Sequence, residues 1–233
     1  MRGRIMIGII GAMSAEVEAL KAKIENGSTE KISGVEFVLG KLCGKDVVVA
    51  QCGIGKVFAA LCAQTMILRY GTSTIINTGV AGTLSDRIGI LDFAISSSVV
   101  QHDMDTTAIG DAPGLISGIN VVEIPASKKL SDKVLELAAA QGEKAISGVI
   151  ASGDQFINSR ERKNFIRDTF GAIACEMEGA AIGHVCYVNG VDFVIIRCIS
   201  DNASGDAEME YPEMVKIAAV KSQKLVEAIV SEI

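Results

Sequence analysis

Tryptophan is absent from these 233 residues, and aromatic side chains make up only 4% of them. A core without large rings must be packed from Val, Ile, Leu and Ala, which suits a sheet buried on both faces. With 49% of residues hydrophobic, the chain has enough of them for one sizeable α/β core. No basic run stands out and the net charge is −6, which argues against a nucleic-acid backbone as partner and for a small-molecule ligand. Only two histidines, His102 and His184, are present, too few for a histidine-rich metal site. The His102-Asp103-Met104-Asp105 cluster lacks further His or Cys at ligand spacing, so no metal is expected. No apolar run approaches the ~20 residues that cross a bilayer. The run Ile5–Met13 behind Arg2 and Arg4 imitates a secretory leader, but Glu16 and Glu18 follow at once, so a first core strand fits better. The six cysteines show no CxxC spacing and several lie in apolar runs, which reads as reduced core thiols of a cytoplasmic protein.

What is present alternates. Apolar runs at 5–10, 45–50, 74–77, 90–100, 145–150 and 192–199 read as strands. Amphipathic or apolar segments at 57–70, 127–141, 160–170, 180–188 and 211–233 read as helices. Residues 34–40 pair with 45–50 across a turn at Cys43-Gly44, and Ser14 is placed to cap a helix carrying Val17, Leu20 and Ile24 on one face. Residues 106–126 read as a long surface loop. No repeat, low-complexity tract or linker interrupts the pattern. One α/β domain over 1–233, with a mixed, mostly parallel sheet, is the expectation.

Polar residues at the strand ends point to function, because open α/β sheets bind ligands there. Glu16 follows the first strand, and as a plain helix N-terminal charge it would add only a few tenths of a kcal/mol up to about 1. Gln51–Lys56 contains GIGK, a partial phosphate-loop look-alike whose safer meaning is a tight turn before a helix. Residues 78–83, TGVAGT, read as a glycine-bearing site loop. Phe156 sits in the loop after residue 150, as an anchor or as a flat surface for a base. Residues 174–181, ACEMEGAA, place Glu176 and Glu178 around Met177. Arg197 lies inside an apolar strand and needs a carboxylate partner, which Glu16, Glu176 or Glu178 can supply. Asp201 closes that strand as either an N-cap or a proton donor.

Five motifs occur together and in register: GIIGAMxxE at 8–16, NTGxAG at 77–82, SGDxFIN at 152–158, EMEGAA at 176–181 and RxISD at 197–201. The combination resembles the 5′-methylthioadenosine/S-adenosylhomocysteine nucleosidases of the purine nucleoside phosphorylase superfamily, over essentially the whole chain. The resemblance implies a single-domain, three-layer α/β sandwich around a mixed, partly barrel-like sheet, and a homodimer. It implies hydrolysis of an N-glycosidic bond with release of adenine and a 5-substituted ribose, without metal or cofactor. It implies that Asp201, supported by Ser200, protonates the purine. Glu16 would manage the attacking water and Glu178 hold the ribose hydroxyls over Met177. Phe156 would stack on adenine, Ile157 offer its backbone to the base edge, Tyr211 close over the ribose, and Arg197 buttress the carboxylates. The chain departs from the family at Val80, where serine is usual, and in 106–114, TTAIGDAPG, where aromatics usually reach the partner's 5′ site and Ile109 is the nearest apolar match. Those departures leave 5′-deoxyadenosine, methylthioadenosine and aminodeoxyfutalosine all open as substrates. The rivals are a phosphorylase, which needs cations for phosphate where this chain has Glu16, and a non-catalytic nucleoside-binding protein.

Overall fold

The computed structural model describes residues 6–201 and 211–233, the side chains of 211 and 212 excepted. Among the described residues the strands are β1 Met6–Gly11, β2 Glu25–Ile32, β3 Val35–Leu42, β4 Lys45–Gln51, β5 Thr72–Thr83, β6 Phe93–Gln101, β7 Glu123–Pro125, β8 Ala145–Ser152, β9 Ala172–Glu176 and β10 Asp192–Asp201. The helices are α1 Ser14–Lys21, α2 Lys56–Tyr70, α3 Lys128–Ala140, α4 Arg160–Phe170, α5 Gly179–Asn189 and α6 Tyr211–Glu232.

All ten strands join one mixed sheet. β5, β10, β6, β8 and β9 pair in a closed ring, because β10 bonds to both β5 and β6 while β9 returns to β5. From β5 the sheet continues open through β1, β4, β3 and β2. The expected partly barrel-like sheet is this ring with its four-strand extension. Helices cover it on two sides. Ala59, Cys62, Ala63 and Met66 of α2 pack with Ala180, Ile182 and Cys186 of α5 over one face. Val17 and Leu20 of α1, Val134 and Ala138 of α3, and Leu225 and Ile229 of α6 pack over the other. The result is the three-layer sandwich, and no helix among the described residues is long and apolar enough to cross a membrane.

Five local expectations change. Residues 78–83 are the end of β5, not a loop. α1 begins after Met13, and Ser14 lies inside it rather than capping it. The 106–126 segment holds a 3-10 turn at Thr107–Ile109, a bridge between Ile116 and Val121, and β7. Of the six thiols, all free, Cys43 is exposed and the other five are buried. His184, expected as a core residue from its place in the apolar 180–188 helix, is only half-buried, its Nδ1 3.4 Å from the Gln101 side chain.

Candidate active site

The strand ends bring the predicted residues to one cleft of about 590 Å³, part of it open to solvent. Glu16, Val80, Phe156, Ile157, Glu176, Met177, Glu178 and Asp201 line it, with Ile54 at its edge.

β1 delivers Glu16. Its Oε2 accepts from the backbone N–H of Ala12 at 2.7 Å and Met13 at 2.9 Å, and its Oε1 from Val80 at 3.2 Å. Burial raises the Glu16 pKa, against the pull of the Arg197 charge and these three amides. β5 runs alongside and is glycine-bearing for a steric reason. A Cβ at Gly79 would stand 2.8 Å from Glu16 Oε1, and one at Gly82 would stand 3.0 Å from both Asp201 oxygens. The two glycines let carboxylates, rather than ligand alone, lie against the strand.

β9 delivers Glu176 and Glu178, and their environments differ. Glu176 is the partner that Arg197 requires. It takes a hydrogen bond from the Arg197 guanidinium and one from the Ser152 hydroxyl. It also caps α5, accepting from Gly179 N at 2.8 Å and Glu178 N at 3.0 Å, where the helix dipole favours an anion. Burial pushes its pKa up, but Arg197, Ser152 and Gly179 outweigh that and hold it below the ordinary value. Arg197 is itself only 1% exposed and donates to Asn77 Oδ1 at 2.6 Å, while Asn77 donates to Ile10 O at 2.9 Å. This chain of bonds ties β10 to β5, β1 and β9 beneath the cleft. Glu178 receives less support. Its Oε1 accepts from Gly55 N at 2.9 Å, and its Oε2 lies 3.8 Å from Arg197. Burial and the neighbouring Glu176 charge raise its pKa to about 7. The GIGK turn thus uses its backbone to hold a protein carboxylate.

β10 delivers Ser200 and Asp201. Ser200 hydrogen-bonds the Asp201 carboxylate, and Lys163 Nζ stands 3.6 Å from Asp201 Oδ2. Burial raises the Asp201 pKa, with Lys163 and Ser200 opposing. The loop after β8 carries Ile157, buried, and Phe156, 63% exposed at the mouth. Among the described residues, no lysine or arginine lines the cleft; Arg197 and Lys163 stand behind its carboxylates. No group of three or more His, Cys, Asp or Glu among the described residues is arranged to hold a metal ion.

Residues 6–231 match the family model described as the phosphorylase superfamily. A 5′-methylthioadenosine/S-adenosylhomocysteine nucleosidase from Shewanella halifaxensis is 42% identical over 228 residues, covering 97% of this chain and 99% of that one. The chain belongs to the 5′-methylthioadenosine/S-adenosylhomocysteine nucleosidase family. The nucleosidase of that name from Helicobacter pylori, solved with a pyrrolo-pyrimidinyl pyrrolidinol bearing a prop-2-ynylthiomethyl group, superposes with a TM-score of 0.94 at 36% identity and full coverage of both chains. A futalosine hydrolase mutant from Helicobacter pylori superposes with a TM-score of 0.93 at 36% identity, over 98% of this chain and 100% of that one.

Not every expected nucleosidase residue is found in the cleft. Ile109 is 81% exposed on its 3-10 turn and does not line it, and the side chain of Tyr211 lies outside the described residues. Two others were missed in the sequence. Glu176 was one of three possible partners for Arg197, with no signal to choose among them. Lys163 falls in the charged 160–170 helix, whose pattern suggests a solvated face, yet it is 4% exposed.

Proposed function

We propose that this chain, working as one domain over residues 1–233, hydrolyses the N-glycosidic bond of 5′-methylthioadenosine, S-adenosylhomocysteine or 5′-deoxyadenosine, releasing adenine. Asp201 gives its proton to the purine, so that the base departs neutral; general-acid help of this kind is worth roughly 10²–10⁴-fold. Glu16 orients the water and takes its proton. Glu178 binds the ribose hydroxyls, and its anion stabilises the positive charge developing on the sugar. Its pKa of about 7 falls when that charge arrives beside it. Phe156 stacks on adenine, and Ile157 and Met177 line base and sugar. Arg197 and Ser200 act from behind, fixing the carboxylates. No cofactor enters this scheme.

What carries this reading is the cleft itself: Glu16, Glu178 and Asp201 share it with no cationic lining residue among those described. A phosphorylase must attract phosphate, and these carboxylates repel it. A specific observation keeps a second substrate in view. The 106–114 segment lacks aromatics, and a futalosine hydrolase mutant is among the similar structures, which favours testing aminodeoxyfutalosine. Adenine release from a panel of methylthioadenosine, adenosylhomocysteine, 5′-deoxyadenosine and aminodeoxyfutalosine, in phosphate-free buffer, decides between them. Release from one of the first three as the best substrate is expected. Preference for the fourth selects the second reading, and no release from any of them overturns both.

The protein is further proposed to be a cytoplasmic homodimer with residues 102–114 near the partner's cleft. Val57, Phe58, Leu61 and Leu68 leave an apolar stripe exposed on α2, with Ile54 just before it. Sedimentation velocity is expected to give a dimer, and a monomer at micromolar concentration contradicts it.

A further inference from the structure

Lys163 stands beside the proposed acid, and the reaction scheme does not use it. It lies in the first turns of α4, between Arg162 and Asn164, in a helix whose neighbouring charges face solvent. Its own side chain is 4% exposed and turns inward toward the end of β10, where Nζ stands 3.6 Å from Asp201 Oδ2. Burying an ammonium is costly unless an anion meets it. Among the described residues, the other groups around Asp201 supply no second positive charge. β9 presents the Cys175 thiol, whose pKa is pushed up to about 12 by burial and then by the Asp201 charge. Glu176, also on β9, is engaged with Arg197, and β5 presents only Gly82. The Ser200 hydroxyl also faces Asp201.

We propose that Lys163 is a positioning residue for proton donation. Its buried ammonium holds the Asp201 carboxyl against Gly82 and stabilises the anion that remains when the proton has gone to the purine. This rests on the reading of Asp201 as the acid. In that step the Asp201 proton moves to a purine ring nitrogen, the electron pair of the C–N bond leaves with adenine, and water oxygen bonds to the sugar carbon. Asp201 ends as a carboxylate facing a cation. Lys163 therefore strengthens the acid, and for the same reason lowers the pH above which the free protein has lost its proton.

The two effects move in opposite directions when the charge is removed, and a purely structural role moves neither in this way. The test compares kcat and the pH profile of kcat/KM for the full-length wild type, Lys163→Met and Lys163→Arg. In Lys163→Met, kcat near neutrality is expected to fall by about tenfold, since a weaker acid donates less readily. Its alkaline limb in kcat/KM is expected to move up by about one pH unit or more, since an opposing charge this close shifts a carboxyl by 1–3 units. Lys163→Arg restores both toward wild type. If Lys163→Met does not fold, the neutral, polar Lys163→Gln carries the same expectations. A limb that stays in place, or an arginine variant no better than the methionine one, overturns the proposal. Failure of the acid assignment itself is separate: it shows as full turnover in Asp201→Asn, whatever the Lys163 variants do.

Discussion

Asp201→Asn is expected to cut adenine release by about 10²- to 10⁴-fold while leaving the affinity for a substrate analogue within a few-fold of wild type. The substitution keeps the shape of the group, which matters here because the Asp201 carboxyl lies close against Gly82. The asparagine Oδ1 can still accept from Ser200 and face the Lys163 ammonium, so the local packing survives. What disappears is the acidic proton, and with it the route by which adenine leaves neutral. Single-turnover adenine release, set beside equilibrium binding of the analogue, separates the two effects. Near-normal release in the variant refutes Asp201 as the acid, and a matching loss of binding makes it a ligand contact instead.

Much of the architecture could be read from residue pattern. β1, β4 and β10 are short apolar runs with turn residues or helices beyond them, and α2 and α5 end at Gly71 and Gly190, both with positive φ. β2 was invisible, because ENGSTEKI is a polar edge strand that faces solvent and pairs only with β3. Its strand character comes from that pairing, not from any alternation of its own. Residues 78–83 misled in the opposite sense. Two glycines suggest a loop, but here they sit in a strand because Glu16 and Asp201 need the space that side chains would take.

The site divides in the same way. Glu16, Glu178 and Asp201 were legible from motifs that travel together, and one cleft receives all three. The division of labour between Glu176 and Glu178 was not legible. Two residues apart in sequence, they are separated by what surrounds them: an arginine, a serine and a helix N-terminus for one, a single backbone amide and a distant guanidinium for the other. Lys163 was hidden by its neighbours, since a charged helix looks solvated until the fold shows which residue points inward.

Glu16→Gln is the second large effect. Glu16 meets three backbone donors, two at Oε2 and one at Oε1. A glutamine has one acceptor oxygen, so whichever way it turns, its NH₂ faces at least one N–H. An unsatisfied buried donor costs about 1–3 kcal/mol. The base is lost as well, and its raised pKa had placed it nearer the working pH. Adenine release is expected to fall by about 10²- to 10⁴-fold, with a lowered melting temperature as the structural sign of the mismatched amide. Turnover close to wild type means that another group handles the water.

Behind both variants stands one assertion: carboxylates around a nucleoside bring water, and not phosphate, to the anomeric carbon. Running the wild-type reaction in ¹⁸O-labelled water with phosphate present, and weighing the sugar product, tests it most directly. The expected product is a free 5-substituted ribose carrying one ¹⁸O at the anomeric position. A sugar 1-phosphate, or adenine release that stops when phosphate is withdrawn, contradicts it.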